Sequence, residues 1–68
     1  MRYISYVVEG GFLQHAVPFD DLPGATADSR KRASDPYFDP SECDIGVWDC
    51  EYDARIFDAL REKEEAGS

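Results

Sequence analysis

Gly10-Gly11 lies between two runs of strand-forming residues, and this pair constrains the fold more than any other feature of the chain. Before it stands Arg-Tyr-Ile-Ser-Tyr-Val-Val at positions 2–8, rich in β-branched and aromatic side chains; after it comes Phe12 to Val17. Glycine accepts the positive φ that a primed two-residue turn demands, so the segment predicts a β-hairpin. With a two-residue loop, Val8 faces Leu13, Tyr6 faces His15 and Ile4 faces Val17. Those residues form one largely apolar face. Tyr3, Ser5, Val7, Gln14 and Ala16 form a more polar one. A sheet covered on a single side has this pattern, with the Ile4, Tyr6, Val8, Leu13 and Val17 face expected inside.

The rest of the chain completes an expected α+β fold. Pro18 to Gly24 reads as a loop, with Asp20-Asp21 and Pro23-Gly24 as turn formers. Residues 25–33 read either as a short helix favoured by Ala25, Ala27 and Ala33 or as a mobile loop, since no apolar stripe is present to dock them. Asp35 to Pro40 is irregular. Ile45 to Trp48 fits a third short strand or the start of a longer helix, and Gly46 and Val47 favour the strand. Residues 50–65 predict a helix capped by Asp49, with Tyr52, Ile56 and Leu60 as its apolar stripe and Phe57 and Ala59 beside it. The expected architecture is a small antiparallel sheet packed against one C-terminal helix. It comprises a single domain over residues 1–65, a tail at 66–68 and no internal repeat.

A chain of 68 residues has a core worth only about 3–5 kcal/mol net. A deep active site with several buried polar groups would strain that margin; an external binding surface would not. Lys and Arg number 7 against 15 Asp and Glu, a net charge of −8. Self-repulsion on that scale opposes folding, and phosphate repels carboxylate, so direct binding to nucleic acid or anionic lipid is disfavoured. No apolar run reaches the ~18–20 residues of a membrane span, and the first residues lack the pattern of a signal peptide. A cytoplasmic location, in a bacterium or a phage-infected host, is the expectation. Cys43 and Cys50 are too few for a disulfide framework there.

No catalytic residue, metal or cofactor is expected. Cys43, Cys50 and His15 are the soft metal ligands available, without the paired spacing of a zinc site. Asp35, Asp39, Glu42 and Asp44 do not follow the ordered spacing of a calcium loop. His15 reads as a satisfied or rim histidine, and no spacing joins it to either thiol as a nucleophile–base pair. Gly10-Gly11 lacks the further glycines of a phosphate cradle. Arg30-Lys31-Arg32 reads as a solvated patch.

The charge is unevenly placed. Asp35, Asp39, Glu42, Asp44, Asp49, Glu51 and Asp53 follow one another with no Lys or Arg between them, and Tyr37, Phe38, Trp48 and Tyr52 are interleaved. Carboxylates pair with Arg and aromatic faces accept guanidinium groups. Asp35, Tyr37, Phe38, Asp39, Glu42, Asp44, Asp49, Glu51 and Asp53 are therefore the candidate contact residues for a basic protein surface, such as one in a nucleic-acid-handling complex. In size and charge the chain resembles the small acidic inhibitors that phages direct against restriction and CRISPR systems, some of which imitate DNA. That resemblance implies a non-enzymatic inhibitor, monomeric before it binds. The alternative is an assembly subunit held by apolar contacts, with Phe12, Trp48 or Phe57 as anchors.

Overall fold

In the computed structural model, which describes residues 1–67, the hairpin is formed by Tyr3–Glu9 (β1) and Phe12–Phe19 (β2). Gly10 and Gly11 take φ of 58° and 85°, the primed turn their position predicts. Leu22–Ala33 (α1), Cys43–Asp49 (β3), Ala54–Asp58 (β4) and Ala59–Ala66 (α2) follow. The strands make one four-stranded antiparallel sheet in the order β2-β1-β3-β4. The fold class is α+β, with the third strand present and a helix at the C-terminal end.

Residues 50–65 are not one helix. Arg55-Ile56-Phe57 pairs with β3 as strand, and the helix starts only at Ala59, where Asp58 caps it by accepting from the Arg61 amide at 3.0 Å. The spacing of Tyr52, Ile56 and Leu60 matches a helical stripe, but β3 offers an open row of backbone donors and acceptors, and a β-branched and aromatic segment satisfies it better. Asp49 caps no helix. Its Oδ1 accepts from the amides of Glu51 at 2.9 Å and Tyr52 at 3.4 Å, so the same capping chemistry closes the β3–β4 turn.

The ambiguous 25–33 segment belongs to a helix longer than expected. It begins at Leu22, capped by Asp21 through the Gly24 amide at 3.1 Å, with Pro23 in the first turn where its missing N–H is harmless. Its buried stripe is Ala25, Ser29 and Ala33, spaced four residues apart. The docking face is made of small side chains, which a search for large apolar residues overlooks. Small residues let α1 lie close on β1 and β3, while α2 packs on β3 and on α1. Arg30, Lys31 and Arg32 occupy the last turn of α1, where the helix dipole favours cations.

Both helices lie on one side of the sheet, and this reverses the expected inside face. The core is Val7, Ile45 and Val47 from the strands with Ala33 and Ala59 from the helices, and Phe38, Cys43, Phe57 and Leu60 pack around it. Ser5 and Val7 are buried; Ile4, Tyr6 and Val8, expected inside, face away from the helices. The hairpin register changes as well. Val8 pairs with Leu13 as expected, but Val7 then pairs with His15 and Ser5 with Val17. Gln14 is the extra residue of a β-bulge, and one added residue exchanges the faces of everything beyond it. Leu13, before the bulge, stays with Val8 on the outer face, while beyond it Ala16 joins Tyr6 there and Val17 joins Ser5 on the helix side.

The chain has no sequence repeat, yet the structure has one. β1-β2-α1 and β3-β4-α2 are successive ββα units whose first strands pair at the centre of the sheet. The β1–β2 register shifts between Val7 and Val8, and the β3–β4 register shifts at the matching place, between Val47 and Trp48. Each helix opens on an aspartate cap, Asp21 or Asp58. Of the expected tail, Ala66 ends α2 and Gly67 is its C-cap; Ser68 lies outside the described residues. Among the described residues no helix is long and apolar enough to cross a membrane.

Candidate binding surface

The face of the sheet turned away from the helices is left open and is largely apolar. Ile4, Tyr6 and Val8 of β1, Leu13 and Ala16 of β2, and Trp48 and Asp44 of β3 line a shallow depression of about 380 Å³. Leu13 is 65% exposed and Trp48 37%. Strand alternation places these side chains together, and the Gln14 bulge brings Ala16 onto their side in place of Val17. One polar group enters this surface from β4. Arg55 Nη1 lies 3.1 Å from Asp44 Oδ1 and 3.8 Å from Asp58 Oδ2, and the Tyr6 hydroxyl donates to Asp44 at 3.4 Å. Partial burial raises the Tyr6 phenol pKa, and the Tyr6 hydroxyl followed by Asp44 strengthens the hold of Arg55 on its proton.

The acidic segment does not form one patch. β3 runs through it and separates its ends by about 20 Å, at ~3.3 Å per residue. At one end, Asp35 accepts from the Tyr37 amide at 2.9 Å and Asp39 accepts from the Ser41 amide and hydroxyl at 3.0 and 2.8 Å. These bonds, with the Ser41 hydroxyl first, hold the Asp39 carboxyl below its ordinary range. Tyr37 is 78% exposed and stands edge-on to Phe38, which turns inward onto the core. Exposed Glu42 lies beside the Gly10-Gly11 turn, its carbonyl accepting from the Gly10 amide at 3.0 Å. At the far end, Glu51 pairs with Arg2 at 3.1 Å and Asp53 is exposed in the β3–β4 turn. Between them, Asp44 faces outward on the open sheet.

Asp49 is withdrawn from the surface. It is 2% exposed and takes a two-point contact from Arg2, Nε to Oδ1 at 3.2 Å and Nη2 to Oδ2 at 3.1 Å. Arg2 in turn lies against the Tyr3 and Tyr52 rings. Period-two alternation puts Asp49 on the helix side with Ile45 and Val47, so its role is structural. The surface residues that sequence reasoning missed are Ile4, Tyr6, Val8 and Leu13, which it had placed inside. The signal that could have found them is the Ala25-Ser29-Ala33 stripe, whose small side chains suit the Ser5 and Val7 face.

His15 sits on the helix side at the rim. Its Nε2 is 3.2 Å from Asp28 Oδ2 and accepts from Arg32 Nε at 3.2 Å. Donation from Arg32 calls for a lone pair on Nε2; a protonated imidazole would donate there to Asp28 instead. Burial pushes the Asp28 carboxyl up, but the Ser5 hydroxyl first, then His15 and Arg32, prevail and hold it low. Neither thiol is bonded to this cluster. The Cys43 thiol donates to Glu9 at 3.3 Å, and Cys50 is exposed. Burial first, then Glu9, pushes the Cys43 thiol up to about 11. Iodoacetamide at about pH 8 is therefore expected to modify Cys50 at least about tenfold faster than Cys43, with equal rates once the chain is unfolded. Mass spectrometry of digested time points reads both sites, and equal rates in the folded chain would refute the assignment. Among the described residues no cluster of His, Cys, Asp and Glu is arranged to hold a metal ion.

No known protein family, curated protein or solved structure matches the chain.

Proposed function

We infer that this protein is a non-catalytic binding protein that occupies a basic, nucleic-acid-binding surface of a larger protein. The observation that carries the reading is the internal use of the chain's cations. Arg2, Arg30, Arg32, Arg55 and Arg61 each pair with a carboxylate of the same chain, and Lys63 donates to the Ala33 carbonyl at 3.0 Å. Lys31 alone of the Lys and Arg side chains makes no such contact among the described residues. The carboxylates left over, among them Glu42, Asp53 and Glu64, face solvent. A net charge of −8 is thus presented outward with few cations to interrupt it. A surface of this kind competes with nucleic acid for a groove lined by Arg and Lys, the action of the acidic phage inhibitors it resembles in size and charge. The catalytic alternative has little support, since His15 is held by Asp28 and Arg32 and Cys43 is bonded to Glu9.

Affinity capture at low and high salt tests this reading. The partner should elute with salt, and the combined Asp39→Lys, Glu42→Lys and Asp53→Lys variant should bind roughly tenfold or more weakly, chiefly through slower association. All three positions are exposed, but Asp39 and Asp53 also shape local turns, so circular dichroism checks that the fold survives the reversals. Retention indifferent to salt and to the three reversals would overturn the reading. A second reading, an assembly subunit held by apolar contacts, is favoured by one observation, the uncovered sheet face.

A further inference from the structure

The sheet has two faces, and the chain covers only one of them. Antiparallel sheets with a solvated side normally carry polar residues there. Here that side carries Ile4, Tyr6, Val8, Leu13 and Trp48, a contiguous apolar surface of the sort that marks a contact site. We propose that this face seats an amphipathic basic helix of the partner protein, its apolar stripe on Tyr6, Leu13 and Trp48 and its Arg and Lys side chains on Asp44 and Asp58. The proposal rests on the basic-partner reading above and assigns it a surface.

Charge selects the occupant. Asp44 and Asp58 share a single cation, Arg55, at the β4 side of the face, which leaves carboxylate in excess. Glu42, exposed at the same end of β3, adds to it. A second copy of the chain would bring another −8 to this surface, whereas a basic element brings the opposite sign. Dimensions select a helix. Four strands about 4.8 Å apart span roughly 14 Å between the outer two, enough for one helix of ~10–12 Å diameter. Laid there, it would supply the third layer of a helix–sheet–helix stack.

Trp48 is the only tryptophan, so the unmodified chain reports on its own face. The probes are two synthetic peptides of equal positive charge, one with Leu and Arg at helical spacing and one with Arg among Gly and Ser. At low salt the Leu/Arg peptide should shift Trp48 emission to the blue, cut its quenching by acrylamide about twofold and bind about tenfold more tightly than the Gly/Ser peptide. Leu13→Ser, at an exposed position, should remove most of that tenfold advantage with circular dichroism unchanged. Equal binding of both peptides with no change at Trp48 would overturn the face assignment and leave the basic-partner reading standing. Binding of neither peptide would overturn both. A Trp48 shift that grows with protein concentration alone, with a dimer in sedimentation, would make the occupant a second copy and overturn the proposal.

Discussion

Replacing Gly46 with alanine is expected to release β4 and α2 from the rest of the sheet. Gly46 stands in the middle of β3, opposite Tyr6 on one side and Asp58 on the other. A Cβ there would collide with the backbone carbonyl oxygen of Phe57 and come within 3.1 Å of the Tyr6 hydroxyl. Tyr6 can turn aside, but the Phe57 carbonyl belongs to the neighbouring strand, so relief requires β4 to move. Overpacking a close contact costs about 1–3 kcal/mol, and a backbone collision belongs at the upper end. Against a net stability of about 3–5 kcal/mol, that removes most of the margin. Hydrogen exchange should show residues 54–66 losing protection first, with the β1–β2 hairpin holding longer. An unchanged thermal midpoint and unchanged exchange at β4 would show that the strands are not seated this closely.

Asp49→Ala is the second large effect, and it acts at the other end of β3. The carboxylate holds Arg2 and two turn amides, and the Cys50 amide donates to the Arg2 carbonyl at 2.8 Å, so one side chain ties the start of β1 to the end of β3. Removing it should lower the thermal midpoint by roughly 10 °C or more. Asp49→Asn keeps an acceptor for the turn and should fall between. The same pair makes the fold acid-sensitive. The Arg2 hydrogen bonds lead in holding the Asp49 carboxyl below its ordinary 3.8, against the opposing effect of burial. A carboxyl depressed in the folded state stabilises fully above its unfolded pKa and loses that contribution as pH falls through the folded one. Asp28, Asp39 and Glu62 are shifted the same way, so stability should decline below about pH 4. Asp49→Asn should flatten that decline. A wild-type midpoint constant down to about pH 2 would remove the basis for it.

The acidic segment shows how far the candidate site was legible. Its sign and its place between Asp35 and Asp53 are plain in the residues. Its division into two ends, with Asp49 turned inward between them, is not, because alternation along β3 sends neighbouring carboxylates to opposite sides. The pattern from Tyr52 to Leu60 illustrates the same limit for the fold. Tyr52, Ile56 and Leu60 satisfy a helical period, Arg55-Ile56-Phe57 satisfies a strand, and the unpaired edge of β3 decides between them. α1 was half visible, since its alanines favour helix, but a stripe of Ala25, Ser29 and Ala33 gains its packing value only from the strands it approaches.

The sequence by itself determined the hairpin and its turn, because two adjacent glycines between strand-forming runs leave the backbone few other routes. It also determined the acidic character of the surface, because a small domain cannot bury so many carboxylates. Tertiary structure alone decided which face of the sheet the helices cover, that Gln14 bulges and exchanges the faces of Ala16 and Val17, and that Asp49 serves the fold. Period-two alternation distinguishes two faces without saying which lies inside. That choice is made by how closely α1 and α2 can lie on Ser5, Val7, Ile45 and Val47, and it leaves Ile4, Tyr6, Val8, Leu13 and Trp48 in the open.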